Sequence, residues 1–450
     1  MYQKLIAQER PPRCSAGGKS SEHLTSIALD PLNRTTQALQ CEIEKYNGIP
    51  YSRFMELCLF GPEGYYSAGK AVIGRDFNTS PSVSPIFSIM VCKIAYLVWQ
   101  AMGQPKKFTI VEMGPGGGHL ALSFLQWARK LYPAFYARLQ YVLVENSPGM
   151  LEQQKKMLAY SRNVRFVNGS AVDLPLKDIK GILISNELLD TFPVEIVTRI
   201  DGRIKQKYIS IRNDMWVEEW REPEVKVSSF IDTYSIHIKK DIEEPLNMRS
   251  VPWAHKVCSS LKKGAVITID YGELGEVGTD ESPTIMLYGN ERYIGNVFEQ
   301  GINVFKGNTA LGQFMYPGQL DITTEVNFKP LKIAFEQNGL REHFSGIQRD
   351  FFNTIGAADL APHIKEQYQG CATFTEVIDW HRGYCTQTMM RDFMCRLDLN
   401  GVEMPSLSAS DLDTDLEFLS LIPLLVIRTG KPRHPVIMEG VRNTLPMIKY

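Results

Sequence analysis

The sequence predicts an α/β fold organised around a doubly wound parallel sheet. Three observations carry that reading. Short β-rich runs alternate with helix-periodic stretches between residues 108 and 190. A glycine cluster, Gly114-Pro115-Gly116-Gly117-Gly118, stands where the first such run gives way to its helix. The chain has 450 residues, 44% of them apolar, enough to bury a large core with insertions.

Composition narrows the function classes. Forty-nine Lys plus Arg face 50 Asp plus Glu, a formal charge of −1, so no global field holds a nucleic acid or an anionic membrane surface. No apolar run approaches the roughly 20 residues of a spanning helix. Neither nucleic acid nor membrane is therefore expected as a partner, whereas a homodimer is compatible with the sequence. The eight cysteines include no C-x-x-C pair, which favours buried free thiols over a disulfide scaffold or a thiolate zinc site, and no metal is expected. The N-terminus lacks a secretory apolar core. Lys4, Arg10, Arg13 and Lys19 against Glu9 faintly echo an organellar presequence. The expected compartment is the cytoplasm for a bacterial chain, with the mitochondrial matrix admissible for a eukaryotic one.

The elements follow in order. Residues 1–35, rich in Ser, Pro and Arg, read as a loose lead-in. Helical spacing runs from Thr35 to Cys58, and Gly61-Pro62-Glu63-Gly64-Tyr65-Tyr66 turns the chain. Pro81 to Gly103 is a second helix, closed by Gly103 and Pro105. Together, 36–107 form a helical N-terminal segment. Within a core of 108–345, strands are predicted at Phe108–Glu112, Tyr141–Glu145, Val164–Asn168 and Gly181–Ser185, with helices at His119–Leu131 and Pro148–Leu158. Residues 194–250 open as a hairpin on Asp201-Gly202, continued by Trp216–Trp220. A helix at Trp253–Leu261 and a strand at Ala265–Asp270 follow. The loop-rich stretch 273–320 is too long for an idle connection and reads as a lid-like insertion. Val326–Asn338 is a helix, and 346–450 a mixed C-terminal extension.

The strongest chemical signal is Val111-Glu112-Met113-Gly114-Pro115-Gly116-Gly117-Gly118. Glycines let the chain turn sharply, admit a ligand to the backbone and bring helix and strand close. The phosphate-loop pattern fails for want of Lys-Ser or Lys-Thr, and a dinucleotide fingerprint would need glycine at His119. An acid two residues before G-x-G-x-G is the pattern of S-adenosylmethionine sites, favoured over dinucleotide binding and over a plain packing turn. Glu145 ends the second strand, where a carboxylate can accept both ribose hydroxyls. Asn186, Glu187 and Asp190 follow the fourth strand, on the ligand side of an open α/β sheet. They either clamp a cationic nucleophile or decorate a helix N-terminus.

Several blocks in fixed order resemble the MidA-like S-adenosylmethionine-dependent methyltransferases, a family that includes the mitochondrial complex I assembly-factor arginine methyltransferase. They are Ile49–Met55 leading to Gly64-Tyr65-Tyr66, Arg75–Pro81 with Ser84 and Phe87, Val111–Gly118, Leu143–Pro148, Asn186–Val194, Asp270-Tyr271-Gly272 and Tyr316–Thr323. The resemblance implies a Rossmann-like seven-stranded methyltransferase sheet with a helical cap, whose Asp76–Ser84 block folds over the donor. It implies a donor site drawn from Glu112, Gly114, Gly116, Gly118, Glu145, Asn146, Tyr66, Asp76, Thr79, Ser80, Ser84 and Asn186. It makes Asn186, Glu187 and Asp190 the acceptor-side, catalytic candidates. The family often has Arg where Gly117 stands and a carboxylate where Ser82 stands, and its Met-Gly-x-x-Phe-Lys ending is not evident near Phe418–Val426.

The function expected is methyl transfer from S-adenosyl-L-methionine to a nitrogen, foremost a guanidinium of a protein or small molecule. The alternatives are a small-molecule O- or N-methyltransferase of secondary metabolism and a non-catalytic assembly scaffold that kept the fold.

Overall fold

The computed structural model describes residues 22–73, 76, 79–83, 85–275, 285–290, 293, 309–348, 350–351, 355 and 393–404. Sixteen strands lie among them: β1 Glu22–Ala28, β2 Ile49–Pro50, β3 Phe108–Met113, β4 Leu139–Glu145, β5 Val164–Asn168, β6 Ile179–Asn186, β7 Glu195–Ile200, β8 Arg203–Arg212, β9 Met215–Arg221, β10 Glu244–Leu246, β11 Leu261–Glu273, β12 Met286–Gly289, β13 Leu320–Thr323, β14 Val326–Asn327, β15 Arg341–Ile347 and β16 Phe393–Asn400.

The central sheet runs β15-β16-β11-β6-β3-β4-β5, with β14 pairing the end of β11. From β11 to β5 every pair is parallel, and β16 lies antiparallel between β11 and β15. The fold class is as predicted. Burial explains why these strands read as continuous apolar runs. Ile110, Ile182 and Ile267 pack on one face with helices Pro85–Ala101 and His119–Leu131. Val111, Leu183 and Val266 pack on the other with helices Ser250–Ser260 and Phe328–Gln337. Both faces are covered, so successive residues are apolar instead of alternating.

A second, antiparallel sheet runs β1-β9-β8-β7-β10, with β2 on β8. The predicted Asp201-Gly202 turn joins β7 to β8 with both residues at positive φ, 48° and 79°, the geometry that matches strand twist. Helices Arg34–Tyr46 and Tyr51–Phe60 lie against it, sharing a core with Trp216 and Ile209.

The structure departs from the sequence reading in several places. The lead-in supplies β1, whose partner β9 lies about 190 residues away and leaves no local trace. The helix expected over Thr35–Cys58 is two helices, because Asn47 and Gly48 take positive φ (53° and 102°) and Pro50 caps the second. A helix at Val225–Tyr234 was not anticipated. The mixed tail supplies β16, which pairs inside the central sheet. Cys58, Cys92, Cys258 and Cys395 are buried as expected, but Cys41 is exposed. Most of the 273–320 insertion, Ser84 and the region of Phe418–Val426 lie outside the described residues. Among the described residues no helix is long and apolar enough to cross a membrane.

Candidate active site

From β3 the chain adds β4 and β5 on one side and then crosses to β6 on the other, so neighbouring loops diverge at the carboxyl ends of β3 and β6. A cavity of about 1170 Å³ opens there. Tyr66, Thr79, Glu112, Gly114, Gly116, Glu145, Asn146, Asn186, Glu187 and Asp190 line it. Gly118, Asp76 and Ser80 stand behind its wall, and Ser84 lies outside the described residues.

The glycine turn takes the conformation that its residues permit. Gly114 and Gly116 have φ of 64° and 51°. A Cβ on Gly114 would come within 2.7 Å of Leu188 Cδ1, so that side chain can lie over the turn only because residue 114 has none. Gly118, at φ 87°, caps helix His119–Leu131, whose Arg129 and Lys130 suit the dipole at its far end.

Two acids of the cavity wall stand at β3 and β4. Glu112 is buried and accepts a 2.8 Å hydrogen bond from Tyr141 Oη; burial pushes its carboxyl up to about 8. Glu145, at the end of β4, accepts from the Ser147 amide at 2.8 Å and from Gln154 Nε2 at 3.1 Å. Burial raises its pKa against these bonds. Gln154 Nε2 also donates to the Gly116 carbonyl at 2.8 Å, tying helix Pro148–Met157 to the glycine turn.

The acceptor-side candidates do not sit on a helix. Residues 187–194 form bends and turns, and Glu187 has φ 50°. The alternative of acids decorating a helix N-terminus is therefore corrected. Asp270, fully buried on β11, shapes this loop: its Oδ2 accepts from the amides of Leu188, Leu189 and Asp190 at 3.2, 2.9 and 3.3 Å. Three converging N–H bonds bend the chain so that Glu187 and Asp190 meet the cavity without a helix.

Glu187 Oε1 accepts from Asn186 Nδ2 at 3.0 Å and from the Ser80 amide at 3.2 Å. Burial, then the nearby Asp190, push its carboxyl to about 8. Asp190 Oδ2 accepts from Tyr271 Oη at 2.6 Å, and burial moves its pKa to about 6. Burial and the charges of Asp190 and Glu187 hold Asp270 well above the carboxylate range. Asp190 Oδ1 and Asn186 Oδ1 are buried without a hydrogen-bond partner. Asp76, assigned to the donor by resemblance, is buried and accepts from Tyr65 Oη at 2.8 Å and the Val72 amide at 3.1 Å.

The wall is strongly acidic. Glu56, Glu112, Glu145, Glu187, Asp190, Glu273, Asp321 and Glu325 line it, against Arg249 and His119, and Arg249 is already bound to Glu56 at 2.6 Å. Asp270, Tyr271 and Asp321 lie within the family-like blocks Asp270-Tyr271-Gly272 and Tyr316–Thr323, but the sequence alone attaches no role to them. Their signal was position, two of them at the carboxyl end of a predicted strand. The loop Gly169–Val172 after β5 also lines the cavity and was missed, although it too follows a predicted strand.

Comparison with known proteins agrees with this architecture. The family model of S-adenosyl-L-methionine-dependent methyltransferases matches residues 90–345. The mitochondrial protein arginine methyltransferase NDUFAF7 homolog of Drosophila melanogaster is 24% identical over 71% of this chain and 74% of its own length. The Danio rerio protein arginine methyltransferase NDUFAF7 is 24% identical over 64% and 69%. A Burkholderia thailandensis structure bound to S-adenosyl-homocysteine shares the fold with a TM-score of 0.67 at 23% identity, covering 84% of this chain and 96% of that one. An open α/β sheet, a glycine turn at its switch point and a match over more than half the chain converge: the protein belongs to the S-adenosyl-L-methionine-dependent methyltransferase family and is an enzyme of that class, with S-adenosyl-L-methionine as its methyl donor.

Proposed function

We propose that this methyltransferase acts on a nitrogen of a cationic acceptor, a guanidinium foremost. The observation that carries the reading is the polarity of the wall beyond the glycine turn. Asp190 Oδ1 and Asn186 Oδ1 are buried acceptors without partners, beside a Glu187 whose charged form is disfavoured by burial. Acceptor-only groups need a ligand rich in donors. A guanidinium offers five N–H groups in a planar fork, an ammonium three and a phenol one. The relatives named as protein arginine methyltransferases support the same acceptor, and their mitochondrial naming favours the matrix as the compartment.

The donor-side residues fit S-adenosyl-L-methionine. Gly114 and Gly116 bring bare backbone to the cavity, Glu145 stands at the strand end where a carboxylate receives ribose hydroxyls, and Glu112 is a buried acid whose hydrogen bond comes from the neutral Tyr141 hydroxyl, suited to an ammonium. Asn146, Tyr66 and Thr79 would complete that wall. Bound there, the donor supplies a methyl group on a sulfonium and leaves as a neutral thioether. The protein's share is then positioning and proton management. Asp190 orients the acceptor's fork, Asn186 Oδ1 takes a further N–H, and Glu187, ionised once the cation binds beside it, receives the proton released from the methylated nitrogen.

Glu187→Gln keeps the shape and removes the proton acceptor. Turnover should fall by about 10²-fold or more while donor affinity, measured calorimetrically, stays near wild type. Tritiated donor offered with guanidines, amines and phenols reports the acceptor class. Label entering only phenols, or a normal rate in the glutamine variant, would sink the cationic-acceptor reading in favour of the O-methyltransferase.

A further inference from the structure

Of the lining carboxylates that the preceding account leaves unused, Asp321 is the buried one. Asp321 stands in β13, inside the Tyr316–Thr323 block, and is 3% exposed. Its Oδ2 accepts from Tyr66 Oη at 2.8 Å, while its Oδ1 is buried without a hydrogen-bond partner. Asp190, 4% exposed, repeats the arrangement: Oδ2 is held by Tyr271 Oη, and Oδ1 is unpartnered. Each acid thus has one oxygen fixed by a tyrosine and one left over.

The two acids come from segments about 130 residues apart in sequence, yet one bond joins those segments. The Thr324 amide donates to the Asp190 carbonyl at 3.2 Å. Both side chains line the same cavity. Burial and then the charge of Asp190 hold Asp321 well above its ordinary pKa, as expected of two acids that meet without a cation between them. Among the described residues the basic side chains of the lining are Arg249, paired with Glu56, and His119. A buried carboxylate oxygen without a partner, near a second acid, is costly unless a ligand supplies positive charge and N–H donors.

We propose that Asp321 is a specificity-determining residue for the acceptor, its free oxygen joining that of Asp190 to bind a planar cationic head from two sides. The proposal rests on the cationic-acceptor reading above and extends it. A monodentate ammonium satisfies one such oxygen well. A guanidinium presents parallel N–H edges to both. Tyr66 then has a structural part: its hydroxyl orients Asp321, while its carbonyl accepts from Ser147 Oγ at 2.7 Å, next to the donor-side Glu145.

The test uses the full chain with S-adenosylhomocysteine bound and two probes, acetyl-arginine amide and its neutral isostere acetyl-citrulline amide, titrated calorimetrically. Wild type should prefer the arginine probe by about tenfold or more. Asp321→Asn should lose about tenfold in arginine affinity, with citrulline and S-adenosylhomocysteine affinities held within about threefold. Unchanged arginine affinity in Asp321→Asn overturns the role of Asp321 and leaves the cationic-acceptor reading standing. A wild type without preference for arginine overturns the reading and the proposal together. Parallel loss of all three ligands also overturns it, since a merely structural residue behaves so. If Asp321→Asn does not fold, Asp321→Ser removes the same charge and is judged on the same scale.

Discussion

At the residue scale the site is a set of acids whose charges the fold disfavours. Glu112 and Glu187 each carry a carboxyl pushed from 4.5 to about 8 by burial, and Asp190 one pushed to about 6. A group with a raised folded pKa holds its proton in the native state after the unfolded chain has released it. Native stability therefore falls as pH rises from about 4.5 through about 8. The ligand-free protein should melt at steadily lower temperature between pH 5 and pH 9, and Glu187→Gln should flatten that slope. A melting temperature that rises across this range in the wild type would contradict the burial of these acids. Under the proposed cationic acceptor, binding of that ligand should relieve such destabilisation.

At the element scale the edge of the central sheet depends on β16. Its Arg396 is fully buried, donates to Glu342 at 2.6 Å and to Asp398 at 2.7 Å, and lies 6.0 Å from the Phe335 ring centroid. The guanidinium offsets two carboxylates, one of them as buried as itself; burial still lifts Asp398 to about 6. Arg396→Met fills similar volume but leaves Asp398 uncompensated. The expected loss is about 3–5 kcal/mol, read from urea unfolding. A loss under about 1 kcal/mol would mean that the pair sits in a wetter environment than its exposure indicates.

At the scale of the molecule, β11 carries the largest debt to distant sequence. It pairs with β6 on one side and β16 on the other, and supplies Asp270 and Tyr271 to the acidic loop. A chain ending at residue 392 lacks β16, which exposes one long edge of a buried strand and leaves β15 unpaired. That chain should aggregate or unfold without cooperativity and fail to bind S-adenosylhomocysteine. A soluble, ligand-binding chain of that length would show that the parallel strands alone support the site.

Much of the core was legible in one dimension. Both faces of the parallel sheet are covered, so its strands are continuous apolar runs, and His119–Leu131 and Pro148–Met157 follow with their own caps. The positions of the glycine turn and Glu145 were legible because they depend on backbone conformation and strand ends, both local properties. Tertiary structure alone decided the rest. β1 and β16 are strands only because of partners far along the chain, and pairing energy across such distances leaves no periodicity behind. A helix start at Glu187 stays open in the sequence because nothing nearby reveals that Asp270, 83 residues on, takes up the amides of Leu188, Leu189 and Asp190. Asp321 has the same history. Nothing local sets it apart from any acid in a strand, and only the fold places it on the wall of the cavity that Asp190 lines.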